Sequence, residues 1–139
     1  MAEQIRDVMT EDLVALPVDA SVVEASREMD QRDIGDVLVV DGERLVGMLT
    51  DRDIVVRAVA QGTDPNQIRV GDVATTDIQT LSPDADLGEA VAIMRQAAVR
   101  RVPVVDGDRP VGIVSIGDLA IEADEGSALA DISAAEPND

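Results

Sequence analysis

The chain repeats itself, and the repeat constrains its fold more than any other feature. Displaced by about 65 residues, Asp7–Val59 aligns with Asp72–Asp124 without a gap and with about twenty identities, so the sequence is a duplication. The sharpest match sets Val37-x-Val39-Val40-Asp41-Gly42-x-Arg44-x-Val46-Gly47 against Val102-x-Val104-Val105-Asp106-Gly107-x-Arg109-x-Val111-Gly112. One copy alone, at roughly 65 residues, is marginal in the core it can bury, so the two copies are expected to pack together.

Each copy reads as β-α-β-β-α, an α/β (α+β) unit. A short apolar strand (Leu13–Leu16; Ile78–Leu81) passes through Pro17 or Pro83 to a helix. The first helix opens at Ser21 with Glu24 three residues on, the pattern of a capping box, and presents Val22, Val23, Ala25, Ser26 and Met29. Its counterpart opens near Asp84–Asp86, with Glu89 placed similarly, and presents Leu87, Ala90, Val91, Ile93 and Met94. Hairpins follow, Val37–Val40 with Leu45–Leu49 and Val102–Val105 with Pro110–Val114. Asp41-Gly42 and Asp106-Gly107 are expected to turn them with both residues at positive φ. A second helix starts at Thr50 or Ser115. Three strands per copy are therefore expected. The chain divides into a first repeat with its connector Gln61–Asn66 (1–66), a second repeat (67–124) and an acidic tail (125–139), read as a short arm or a fraying end, with covering of a partner surface as the alternative.

Composition removes several kinds of chemistry. The chain has no Phe, Tyr, Trp, His, Cys or Lys. Val, Ile, Leu, Ala and Met must build the core, and all 11 positive charges are Arg. A zinc-thiolate, a thiol nucleophile and a histidine base are impossible, and no carboxylate pairs with a nucleophile, so no enzyme and no metal site is expected. A formal charge of −18 opposes binding to nucleic acid or to an anionic membrane. Without a membrane-length apolar run or a signal-peptide pattern, a cytoplasmic location is the expectation.

Two features invite a ligand. Gly47-Met48-Leu49-Thr50-Asp51-Arg52-Asp53 and Gly112-Ile113-Val114-Ser115-Ile116-Gly117-Asp118 share the order Gly-apolar-apolar-hydroxyl-x-x-Asp. A hydroxyl with an acid three residues later is what a helix N-cap wants. The same turn offers a hydroxyl beside a carboxylate that can accept from two ribose hydroxyls. Repetition in both copies fits either use. The second feature is asymmetric: Arg100-Arg101 stands where the first copy has Gly35-Asp36. The arginines are either solvated charges neutralising nearby acids or a phosphate clamp, for which the guanidinium fork is well shaped. Pro103 removes a ladder donor and implies an edge or strand-start position. With no aromatic side chain, a bound base would sit between aliphatic groups and backbone amides.

These residues resemble a tandem CBS-domain pair, the Bateman module, from about Ile5 to Ala123. The resemblance rests on the β-α-β-β-α repeat, the Thr/Ser-x-x-Asp turn of each copy and Arg100-Arg101-Val102-Pro103-Val104-Val105-Asp106. Gly47–Arg57 is similar in wording to small stand-alone bacterial members. The family's pattern implies two repeats packed through their sheets about a pseudo-twofold axis and a regulatory adenosine ligand in a cleft between them. AMP, ADP, ATP (with Mg²⁺) or S-adenosylmethionine are the implied ligands, and no cofactor is required. It further implies that Asp53 and Asp118 contact ribose, that Thr50 and Ser115 lie near ribose or phosphate, and that Arg100 and Arg101 face phosphate. Thr10, Thr75, Ile78, Val102 and Pro103 would border the base. Leu38 replaces the strand proline and Asp36 a basic residue in the first copy, so the second copy's arginines mark the better site. Homodimerisation is the expected association. The alternative is a ligand-free homodimeric module that recruits an unknown protein target.

Overall fold

The computed structural model describes residues 4–123, so the acidic tail assigned to 125–139 lies outside the described residues. The chain forms two compact units. One is continuous, residues 13–78, and the other combines the N-terminal segment through Asp12 with the chain from Gln79 onward. The sequence repeat and the compact units therefore divide the chain at different places. The segment after the connector belongs with the first repeat, and the N-terminal segment belongs with the second.

The first unit holds β1 (Ala15–Pro17), α1 (Val22–Arg32), β2 (Asp36–Asp41), β3 (Arg44–Thr50) and α2 (Asp51–Ile54). A π-helical stretch, Val55–Val59, prolongs α2, and the short helix α3 (Val70–Val73) completes the unit. β1 runs parallel to β2 and β2 antiparallel to β3. Ser21 caps α1 by accepting from the Glu24 amide at 3.1 Å, and α1 buries Val22, Ala25 and Met29 at helical spacing. These pack on Leu16, Val37, Val39, Leu49, Ile68 and Val70.

The second unit holds a 3₁₀ turn (Ile5–Asp7), α4 (Leu87–Ala97), β4 (Arg101–Asp106), β5 (Arg109–Ser115) and α5 (Ile116–Ala123). Its core gathers Ile5, Leu81, Ala90, Met94, Val102, Val104, Val114 and Leu119. The Arg6 guanidinium pairs with Asp84, and the Ile5 amide donates to the Ala85 carbonyl at 2.9 Å, which ties the N-terminal segment to the second repeat. Val91 of α4 is 40% exposed.

Two expectations are corrected by the geometry. Ile78–Leu81 does not form a third strand; only a parallel bridge from Leu81 to Val104 remains. In the first unit the Leu38 amide donates to the Val14 carbonyl and the Val18 amide to the Val40 carbonyl. The matching donors in the second repeat would be Pro103 and Pro83, which have no N–H, so the equivalent ladder loses both bonds. Pro103 is accordingly third in β4, with its missing N–H on the side where that strand fails to form. The hairpin turns also differ from expectation. Asp41 pairs with Arg44 and Asp106 with Arg109, which leaves Gly42-Glu43 and Gly107-Asp108 as the loops. Only the glycines have positive φ, 66° and 67°, as in two-residue loops that need it at the first central residue alone. Both hairpins carry a register shift at the same place, Val39/Val40 and Val104/Val105.

Candidate functional site

Each Gly-apolar-apolar-hydroxyl turn begins with a glycine that lets a second chain segment approach. A Cβ on Gly47 would lie 2.7 Å from the Thr75 carbonyl oxygen, and one on Gly112 would lie 2.5 Å from the Met9 sulfur and 3.1 Å from the Thr10 oxygen. The bare glycines allow Met48 to exchange backbone bonds with Thr75 (both 2.9 Å) and Ile113 with Thr10 (2.8 and 2.9 Å). Thr75 and Thr10 are thus set along the free edges of β3 and β5, close to where those strands end in the turn.

At the first turn Thr50, extended at φ −107°, accepts from the Asp53 amide through Oγ1 at 3.0 Å. Asp53 Oδ2 accepts from the Thr50 amide at 3.1 Å. The second turn matches: Ser115 Oγ accepts from the Asp118 amide at 3.1 Å, and Asp118 Oδ2 from the Ser115 amide at 2.9 Å. Both turns are therefore reciprocal caps, which fixes each carboxylate against its hydroxyl.

Beyond the caps the turns diverge. The Thr75 hydroxyl stands 3.5 and 3.4 Å from Asp53 Oδ1 and Oδ2, and Arg57 Nε lies 3.8 Å from Oδ1. The same guanidinium donates to the Val73 carbonyl at 3.1 Å and reaches that of Ala74 at 3.4 Å. The Asp53 side chain is only 13% exposed. Sequence reasoning missed Arg57, although its place four residues after Asp53 is the spacing at which helical charges meet. The equivalent position in the second repeat is Glu122.

The candidate residues fall into two sets by unit. Thr50, Asp53 and Thr75 come together in the first, where Ile78 is half-buried at the unit's end. Thr10, Arg100, Arg101, Val102, Pro103, Ser115 and Asp118 belong to the second. There Arg101 lies opposite Ser115 across the β4–β5 ladder, and the Arg100 carbonyl accepts from the Ile116 amide at 2.8 Å. Arg100 is exposed and Arg101 half-buried. Val102 and Pro103 are fully buried in β4. Among the described residues no group of three or more acids is placed to hold a metal ion, and no helix is long and apolar enough to cross a membrane.

The chain is similar to several known proteins over most of its length. It is 39% identical over 133 residues to the CBS domain-containing protein YhcV of Bacillus subtilis, covering 93% of this chain and 94% of the relative. Hypoxic Response Protein I, solved with two coordinated zinc ions, superposes with a TM-score of 0.80 at 36% identity, over 88% of this chain and 99% of that one. This chain has neither His nor Cys to offer zinc. The CBS domain pair of protein MJ0100, solved with 5′-methylthioadenosine and S-adenosyl-L-methionine, gives a TM-score of 0.77 at 25% identity, over 89% of this chain and 98% of that one. The model of the CBS domain matches twice, over residues 5–59 and 70–124, and the chain belongs to the CBS-domain family as a tandem pair.

Proposed function

We propose that this CBS pair is a non-catalytic regulatory module that binds an adenosine nucleotide or S-adenosylmethionine. The observation that carries the reading is the company Asp118 keeps in the second unit. A carboxylate able to accept from a ribose diol follows Ser115, and Ser115 lies opposite one of two consecutive arginines suited to phosphate. The adenosine ligands of the MJ0100 pair support the ligand class. In this reading Arg100 and Arg101 take the phosphates and Ser115 lies beside the ribose. Thr10, Val102 and Pro103 border the base, Val102 and Pro103 through their backbone because their side chains are buried. Thr50, Asp53, Thr75 and Ile78 are the counterpart set. Regulation follows if the ligand binds two conformations of the module with different affinity.

Calorimetric titration with AMP, ADP, ATP with Mg²⁺ and S-adenosylmethionine tests the reading. At least one ligand is expected to bind tighter than about millimolar, and Asp118→Ala or Arg100→Ala to weaken it about tenfold or more. Absence of binding by all of them rejects the function.

A second reading, a ligand-free homodimeric module that recruits a protein target, is favoured by exposed apolar side chains. Val55, Val56 and Val59 are 56%, 44% and 59% exposed on the first unit. On the second, Val91, Val99 and Ile116 border a groove with Met94 and Leu119. Sedimentation that reports a monomer, unchanged by Val55→Glu with Val59→Glu, would count against it.

A further inference from the structure

Of the six large apolar side chains left exposed among the described residues, three meet in one groove of the second unit. Val91 on α4 and Val99 just after it are 40% and 38% exposed, and Ile116 at the start of α5 is 50% exposed. Buried Met94 and Leu119 form the floor, and the cavity holds about 450 Å³. Arg95 also lines it, exposed and, among the described residues, with no carboxylate at ion-pair distance.

The first repeat treats the matching positions differently. Met94 and Leu119 correspond to Met29 and Ile54, so the apolar floor is common to both copies. Val91, Arg95 and Ile116 correspond to Ser26, Asp30 and Asp51. One copy thus surrounds its floor with a hydroxyl and two acids, the other with apolar side chains and a guanidinium. Packing within a unit needs only the floor, and apolar side chains gathered at a surface groove mark an interaction site. The occupant must suit the second copy and not the first.

We propose that this occupant is the chain's own C-terminal segment, Ser127–Ile132, turned back onto the unit from which it leaves. Helix α5 supplies Ile116 and Leu119 to the groove and runs to Ala123. Leu119 lies about 6 Å along the helix from that end, and Asp124–Ile132 spans up to about 30 Å when extended, so the segment reaches the groove with chain to spare. Gly126-Ser127 has the composition of a chain reversal, and Ala128, Leu129, Ala130 and Ile132 follow it. The 16 residues from Asp124 to Asp139 hold five acids and no Arg. Their apolar side chains suit Val91, Val99 and Ile116, and their charge suits Arg95, whereas Asp30 and Asp51 would repel the same segment from the first copy. Seated there, the segment withholds the groove from other copies and other proteins. This docking is independent of nucleotide binding.

Because the chain has no cysteine, a pair introduced by substitution in the full chain reports this contact alone. Val91→Cys with Ile132→Cys is compared with Ala92→Cys with Ile132→Cys. Ala92 is exposed on the same helix but turned about 100° from Val91. After oxidation with oxidised glutathione in dilute solution, intact mass and non-reducing electrophoresis separate disulfides within a chain from those between chains. The groove pair is expected to close within the chain at least about tenfold faster than the Ala92 pair, the advantage of a seated segment over a freely sampling one. Arg95→Asp or Leu129→Ser, each added to the groove pair, is expected to slow closure about threefold or more. Equal rates for the two pairs overturn the proposal, as does closure that neither added substitution slows. Disulfides only between chains overturn it too and give the groove to a second copy. If far-ultraviolet circular dichroism shows the Val91→Cys chain unfolded, Val99→Cys takes its place and the same outcomes apply.

Discussion

At the residue scale the structure turns on positions where a single atom decides. A methyl on Gly47 would meet the Thr75 backbone oxygen, which has little room to retreat, whereas one on Gly112 first meets the flexible end of Met9. Gly47→Ala is therefore expected to destabilise by about 1–3 kcal/mol and Gly112→Ala by less, as read by urea unfolding. Ala98 gives an opposite case. It ends α4 in the left-handed region, φ 56° and ψ 41°, where a Cβ is strained. Ala98→Gly is expected to stabilise by about 0.5–1 kcal/mol in the same assay. Asp33 occupies the matching place after α1 at φ 56°, and Asp tolerates that conformation better, so Asp33→Gly should gain less.

At the element scale, what depends on neighbours in sequence was legible and what depends on distant partners was not. Ser21 and Asp86 cap their helices and Thr50 and Ser115 theirs, because a cap is a contact across three residues. Both hairpins were readable from Asp-Gly between apolar runs, but the turn slipped by one residue because the register shift moves the pairing. The third strand of the second unit was overcalled, since apolar Ile78 and Leu81 say nothing of whether the facing strand can donate. Restoring one donor tests this account: Pro103→Leu is expected to strengthen pairing at Gln79, seen as slower exchange of the neighbouring amides. Arg57 was missed, although its i, i+4 spacing from Asp53 was open to view, and its grip on the Val73 and Ala74 carbonyls joins segments that only the folded unit brings together.

At the scale of the whole molecule, charge and duplication act together. A formal charge of −18 on 139 residues makes the compact state repel itself, so added salt should raise the melting temperature between about 10 mM and 150 mM NaCl, where the screening length falls from about 30 to 8 Å. Calorimetric scans across that range check it. The duplication revealed the period of the fold and not its phase. Internal similarity shows that residues 7–59 and 72–124 are alike, but not which unit each joining segment supports.

That phase has a consequence for how the chain reaches its native state. The second unit needs its N-terminal segment, and the Ile5 amide finds the Ala85 carbonyl only after a span of roughly 80 residues, a long loop to close during folding. On the ribosome this segment emerges before residues 13–78 and meets its partners after them, so the continuous unit can form in between. A circular permutant opened between Asp12 and Leu13, with the original termini joined, would make both units continuous. Its refolding, followed by stopped-flow circular dichroism, should be faster than that of the natural order.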